Sequence, residues 1–413
     1  MQDVAHTGQD SRLSRLHVLA AIACGVALAV DMIEMTIGNA LSTVFIAEPY
    51  SMAPRALSLL LAAVYLGAVA GAPLFGWAAG RAGIRRCLIW ALLWLGLTSF
   101  LAAASPLAWL GILRFLAGLA LGAIPPLLIA YLTQMAPPRR RGFLIFWVCG
   151  LAALAPPAAL MTIRWLLPLE PFGIASWRWP LAGAGALAMA AGWAFTRLPE
   201  ANAWRLPVSR TATPSAPGSE AASMTGHGRR LTFVAAVYFL LPWASVGFPL
   251  VTGPILLLRG FDVSRALLYV TLATIGPTLA SLLTGAFVDR LDRRFTLASC
   301  AAAMAATVLV FALARSPAWV IGALVIFGVA AAVYVTALTM YAAEVFPARI
   351  RTLATSVAWA CNRAAAVIVP VALLALIGPQ DSIHSLLPVG IAILASLLLV
   401  CFGPQGAAGR AVD

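Results

Sequence analysis

The sequence predicts an all-α membrane protein whose twelve transmembrane helices form two pseudo-symmetric six-helix bundles. Three observations carry this. Of 413 residues, 62% are hydrophobic and 10% charged, with a mean hydropathy of +0.96, whereas a soluble domain is roughly half apolar and a quarter charged. The apolar residues fall into twelve runs, close to the ~20 residues a helix needs to cross a ~30 Å hydrocarbon core. The runs divide six and six around one polar stretch, and a short basic hairpin recurs at the same place in each half. Such a composition excludes a water-soluble enzyme.

In order, the runs cover residues 17–45, 56–78, 87–104, 107–132, 143–166, 179–195, 231–257, 265–288, 295–314, 318–342, 352–376 and 386–402. The first is too long for a signal peptide and carries Asp31 and Glu34 inside it. Residues 1–195 are expected to form one bundle and 231–413 the other. Residues 196–230, rich in Pro, Ser, Thr, Gly and Arg, read as a mobile cytosolic linker. Gly67 and Gly71, like Gly118 and Gly122, are four apart and allow close helix contact. Pro125-Pro126, Pro156-Pro157, Pro249, Pro254 and Pro370 are expected to bend their spans or free backbone carbonyls.

The net charge of +13 rests on 27 arginines without a lysine. With residues 1–16 in the cytosol, nineteen arginines fall on cytosolic segments and six on external segments or span edges, while Arg114 and Arg363 lie within the membrane. This is the positive-inside bias. It puts both termini in the cytosol of a multi-pass protein of the cell membrane, taken as a bacterial inner membrane. The excess charge orients helices, so no nucleic-acid partner is expected. The cysteines stand singly inside apolar runs, with no CxxC and no Cys/His cluster, so neither disulfides nor a metal site are expected. A monomer without cofactors is the expected assembly.

The hairpins read Gly76-Trp77-Ala78-Ala79-Gly80-Arg81-Ala82-Gly83-Ile84-Arg85-Arg86 and Gly285-Ala286-Phe287-Val288-Asp289-Arg290-Leu291-Asp292-Arg293-Arg294. Their recurrence implies duplication, the usual architecture of secondary transporters. They resemble the signature loop of the major facilitator superfamily. Run four resembles the same superfamily in Arg114-Phe115-Leu116-Ala117-Gly118 through Gly122, followed by Tyr131, Gln134 and the Arg139-Arg140-Arg141 cluster. Ser176-Trp177-Arg178-Trp179-Pro180 and Leu198-Pro199-Glu200 resemble its sugar-porter-like branches. Glu344-Val345-Phe346-Pro347-Ala348-Arg349-Ile350-Arg351, with Arg363 and Pro370 beyond, resembles the organic-ion transporters, the synaptic-vesicle-type relatives and the metabolite or aromatic-acid proton symporters. The resemblance implies alternating access by two rocking bundles. It also implies a cytosolic gate of Gly80, Arg81, Arg85, Gln134, Arg141, Asp289, Arg290, Arg293, Glu344 and Arg351. Gly80 and Gln134 depart from the family pattern, which has acids at both places. The first half is therefore expected to lock weakly, favouring an inward-open resting state.

Charges buried at mid-membrane cost about 2.5–3.5 kcal/mol each on insertion scales and persist where they pair or face a wet cavity. Asp31 and Glu34, three apart, share a helix face that continues through Met35, Gly38 and Ser42. Helical rise puts Asp31 level with Arg114. These three residues are the candidates for proton coupling, against the plainer reading of a static Asp31–Arg114 pair. Arg363 offers a rigid fork matched to a carboxylate. With Asn362, Tyr65, Tyr131, Tyr238 and Trp359, it is the candidate for holding an anionic solute; simple packing is the alternative for each. The expected cavity lies among spans one, four, seven, eight, ten and eleven.

The function expected is proton-coupled symport of a small organic solute, an organic acid or similar metabolite. The alternative is a proton-driven exporter of drugs or metabolites, for which Gly150 to Pro157 is a poor match to the usual antiporter run. An intramembrane enzyme would need a nucleophile or metal constellation, yet His6, His17, His227 and His384 all lie away from the membrane middle.

Overall fold

A computed structural model describes residues 15–135, 141–200, 228–287, 292–346, 348–377 and 384–403. The described residues build twelve spans and no strand. In the first half these are α1 (Arg15–Ile46), α2 (Pro54–Ala82), α3 (Ile84–Ala104), α4 (Leu107–Leu121, resumed at Ile124–Met135), α5 (Arg141–Ala152, resumed at Ala155–Leu166) and α6 (Arg178–Thr196). The second half holds α7 (Gly228–Pro242, a π-turn at Trp243–Gly247, then Phe248–Leu258), α8 (Val263–Phe287), α9 (Arg293–Leu313), α10 (Pro317–Val345), α11 (Ala348–Leu374) and α12 (Leu387–Phe402). Eleven of these are long and apolar enough to cross a membrane. The twelfth, α6, is diluted by glycine and alanine but its 19 residues reach about 28 Å. Most of the expected linker lies outside the described residues.

The proline pairs act where their sequence places them. A proline ring clashes with the carbonyl four residues earlier and donates no hydrogen bond. Pro125 and Pro126 therefore strain Leu121 and Gly122, where α4 breaks; Pro156 and Pro157 strain Ala152 and Ala153, where α5 breaks. Pro249 sits just after the π-turn of α7. Pro254 and Pro370, by contrast, lie in helix that runs on without interruption.

The glycine pairs meet each other. A Cβ on Gly71 would stand 1.9 Å from the Leu119 carbonyl oxygen, and one on Gly118 2.2 Å from that of Val64. Thus α2 and α4 touch backbone to backbone. The duplicated contact recurs between α8 and α10, where a Cβ on Gly276 would lie 2.5 Å from the Val325 oxygen and one on Gly328 2.6 Å from that of Ala273. In lipid, where apolar surface gains nothing by leaving the solvent, such close packing is what holds helices together. Gly71→Ala should accordingly cost about 1–3 kcal/mol, the usual penalty for overpacking. Melting in detergent will show it, and an unchanged midpoint would mean that the contact yields freely.

Each half has its own buried core, and Leu250, Leu267, Val270 and Leu374 from the second half join the core of the first. The halves meet through α2 with α11, α5 with α8, and α1 with α7 and α8. The end of the molecule with the hairpins is called the hairpin face, and the opposite end the far face. On the far-face side, Ser42 Oγ donates to the Leu250 carbonyl at 2.8 Å, Thr43 fills the space a Gly253 side chain would take, and Arg164 Nε donates to Ser264 O at 3.2 Å. Near mid-height, Thr278 Oγ1 donates to Ala153 O at 2.7 Å. The third helix of each half ends under an arginine: Arg178 donates to the Ala103 and Ser105 carbonyls, and Arg259 to those of Phe311 and Ala312. Helix C-terminal carbonyls lack partners of their own and attract cations.

Candidate functional site

A cavity of about 440 Å³ lies between the halves at mid-height. It is bounded by α1 and α5 on one side and by α7, α8 and α10 on the other. The expectation named spans four and eleven in place of five. The difference has a physical cause: the α4 glycines press that helix onto α2, away from the centre, and the α5 break at Ala153–Leu154 brings Cys149, Ala153 and Pro156 to the wall. The wall is mostly apolar, with Met32, Met35, Phe248, Phe327 and Pro277 among its members. Its polar groups are Asp31, Thr36 and Asn39 on α1, Ser245 and Thr252 on α7, and Thr274 on α8. No arginine is among the described lining residues.

The two carboxylates of α1 have different surroundings. Residues three apart differ by about 60° around a helix, so they occupy opposite edges of one face. Asp31, 8% exposed, lines the cavity, and its buried Oδ1 has no hydrogen-bond partner. Glu34, 0% exposed, turns instead toward α3 and α4. There Ser99 Oγ donates to its Oε1 at 2.5 Å, Arg114 Nη1 donates to its Oε2, and Arg114 Nη2 donates to the Glu34 carbonyl at 2.7 Å. Arg114 is 3% exposed. The arginine therefore pairs with Glu34 rather than with Asp31, the residue level with it. A long guanidinium side chain readily spans the ~4.5 Å rise between the two acids, and Ser99 fixes the choice by completing the partner set. The expected polar face divides likewise: Asp31 and Met35 reach the cavity, Gly38 faces Leu61 of α2, and Ser42 bonds across to α7.

None of the six expected substrate-binding residues is on this cavity wall. Arg363, half-buried on α11, lies within electrostatic range of Asp31 and of Tyr65. Tyr65, on α2, feels Arg114 as well. Asn362 Nδ2 donates to the Tyr238 carbonyl at 3.1 Å, and the Tyr238 and Trp359 rings meet edge to face at 5.4 Å. These three join α7 to α11. Tyr131 Oη donates to Pro199 O at 2.8 Å near the hairpin face, far from the cavity. Aromatic residues at helix contacts look alike in sequence whether they pack or line a wall. Sequence reasoning also missed Thr36, Asn39, Ser245, Thr274 and Phe327 on the wall; Phe248 and Thr252, four apart beside Pro249, are the missed pair that carried a signal.

At the hairpin face the first half does hold an acid. Glu200, just past α6, accepts from the Arg85 backbone N–H at 2.9 Å and pairs with the Arg85 side chain at 3.6 Å. Arg85 Nη1 also donates to Leu198 O at 2.5 Å. Asp292 does the same for α9, accepting from the N–H groups of Arg294 and Phe295. Glu200 thus serves α3 at the place of Gly83 as Asp292 serves α9, while the places of Gly80 and Gln134 carry no acid. Gly80 meets open space, Arg81 stacks on Trp77 at 4.0 Å, and the buried Gln134 Oε1 has no partner. In the second half Arg293 Nε pairs with Glu344 Oε1 at 3.2 Å. Asp289 and Arg290 lie outside the described residues, as do the side chains of Arg141 and Arg351. Among the described residues, no group of His, Cys, Asp or Glu could hold a metal ion, and the six cysteines are free.

The description "Major Facilitator Superfamily" matches residues 23–370 and, separately, 234–408. The putative metabolite transport protein YyaJ of Bacillus subtilis (strain 168) is 24% identical over 431 aligned positions, covering 95% of this chain and 93% of that one. Among solved structures, a D-xylose–proton symporter matches with a TM-score of 0.77 at 18% identity, over 94% of this chain and 97% of that one. The xylose transporter XylE from E. coli, in a partially occluded inward-open conformation, matches with a TM-score of 0.76 at 16% identity, over 97% and 100%. The paired hairpins, the duplicated glycine contacts and the mid-height cavity agree with these matches: the chain belongs to the major facilitator superfamily and is a membrane transporter of small solutes, not an enzyme.

Proposed function

We propose that this protein moves a small organic solute across the cell membrane by alternating access, with movement coupled to protons through Asp31. The observation that carries this reading is an unpartnered carboxylate on the wall of a buried, mainly apolar cavity between the halves. Ionisable groups at such depth serve transport by default, and an acid that no protein group satisfies is free to take up and release a proton. Glu34 and Arg114 are assigned to holding the first bundle together, because each already satisfies the other. Arg363 acts as a charge that biases Asp31 from the opposite half. The arginine bias supports a hairpin face in the cytosol, with both termini there. On that orientation the hydrogen bonds near the far face close the outside, and this conformation is the inward-facing one. The protein works as a monomer, in what is taken to be a bacterial inner membrane.

Purified protein in proteoliposomes with an entrapped pH dye provides the test, using a panel of small organic acids, alcohols and amines. At least one class should drive a proton flux that protein-free vesicles lack. Solute movement with no accompanying proton flux would overturn the coupling. Cysteines at Arg86 and Asp262 should react with impermeant reagent from opposite sides of the membrane; labelling from one side would overturn the orientation.

A further inference from the structure

The polar wall of the cavity holds more acceptors than donors: of its six polar side chains, only Thr36 and Asn39 have donors left to offer. Three hydroxyls have already given their protons to backbone carbonyls of their own helices: Ser245 to Leu241 at 3.1 Å, Thr252 to Phe248 at 2.7 Å, and Thr274 to Thr271 at 2.7 Å. A hydroxyl that has donated keeps only lone pairs for the cavity. Asp31 adds a carboxylate, with one oxygen buried and unpartnered. Apart from Thr36, Asn39 and the Cys149 thiol, the rest of the surface is thioether, aromatic and aliphatic, including Met32, Met35 and Phe327.

From this wall we infer that the transported solute is an amphipathic organic amine, bound as its ammonium form with Asp31 as counter-ion. An ammonium offers three donors and no acceptor, which is the complement of Asp31 and of the three hydroxyls that have already donated. A carboxylate solute is acceptor-only; it would find donors only at Thr36 and Asn39 and would meet the like charge of Asp31. The charged groups around Asp31 do not reverse this choice. Glu34 and Arg114 neutralise each other, and Arg363, within range from α11, is off the wall. The four charges together sum to zero, so the groups a solute can touch decide, and the charged one is Asp31. The phenyl rings of Phe248 and Phe327 suit an apolar or aromatic body and can also lie against a cation.

A carboxyl that holds a proton carries no charge to balance an ammonium, so the proton and the amine compete for Asp31. The amine and the proton therefore exchange at Asp31, and the coupling is antiport. This favours the exporter alternative over symport of an organic acid. The inference rests on the cavity being the transport site.

Binding to purified protein in detergent tests it with three probes of matched carbon skeleton: 3-phenylpropan-1-amine, 3-phenylpropan-1-ol and 3-phenylpropanoate. The amine should bind on the order of tenfold more tightly than the alcohol, as a charge-assisted hydrogen bond implies, and the acid most weakly. Titration calorimetry in buffers of different ionisation heat should show proton release on amine binding. Asp31→Asn should bring the amine down to the level of the alcohol, and an unshifted melting midpoint in detergent should show that the variant folds. Tightest binding of the acid, equal binding of amine and alcohol, no binding of any probe, or an amine preference that survives in Asp31→Asn would each overturn the inference. Amine binding as described without proton-linked transport in proteoliposomes would overturn the transport reading alone.

Discussion

Asp31→Asn is expected to abolish uphill movement of solute in proteoliposomes under an imposed pH gradient. A gradient of one pH unit stores about 1.4 kcal/mol per proton, enough to hold a tenfold solute ratio. Asparagine is nearly isosteric with aspartate but cannot take up that proton, so the ratio should fall to unity. Exchange of solute across the membrane without net accumulation should persist, because the cavity keeps its shape. The comparison is decisive because the variant removes one titrating oxygen from a wall otherwise free of charge among its described residues. A preserved tenfold ratio would remove Asp31 from the mechanism.

Glu34→Gln and Arg114→Ala should instead damage the fold. Both partners are buried to within 3%, and deleting one member of a buried pair strands the other without a counter-charge, at a cost of about 3–5 kcal/mol. Thermal unfolding in detergent should fall sharply for either single variant. The double variant Glu34→Gln/Arg114→Met leaves neither charge behind and should recover a large part of the loss, since replacing a whole buried pair with apolar groups is often neutral. Single variants that melt like the parent would show that water reaches this pair, and would return Glu34 to candidacy for the proton. The two acids of α1 are thus separable by experiment: one variant uncouples a stable protein, while the other weakens the protein itself.

Much of the fold was legible because it follows from local rules. Length and hydropathy of the runs marked all the spans, and the four-residue glycine spacing marked the tight contacts, since only a missing Cβ lets two backbones approach as Gly71 approaches Leu119. The proline pairs marked the breaks in α4 and α5 because their clash with a carbonyl four residues back is independent of anything distant. The candidate site was less legible. Asp31, Glu34 and Arg114 stood out as charges in apolar sequence, but their spacing along α1 is compatible with either acid meeting the arginine. The substrate-binding candidates were ambiguous for a related reason: Tyr238, Trp359 and Asn362 contact one another across α7 and α11, and nothing along the chain distinguishes such packing from a lining role.

The sequence by itself determined a twelve-span membrane protein, its duplication into halves, the arginine asymmetry of its loops, and the presence of a few charges too costly to be incidental. Those properties depend on composition and short-range periodicity. Tertiary structure decided which acid is satisfied and which is free, because that turns on a 60° difference around one helix and on where Ser99 of a neighbouring helix falls. It also decided that Glu200, well over a hundred residues from Arg85, serves the first hairpin. The lining of the cavity was settled the same way, by five helices from both halves whose inward faces are fixed only when the bundles pack.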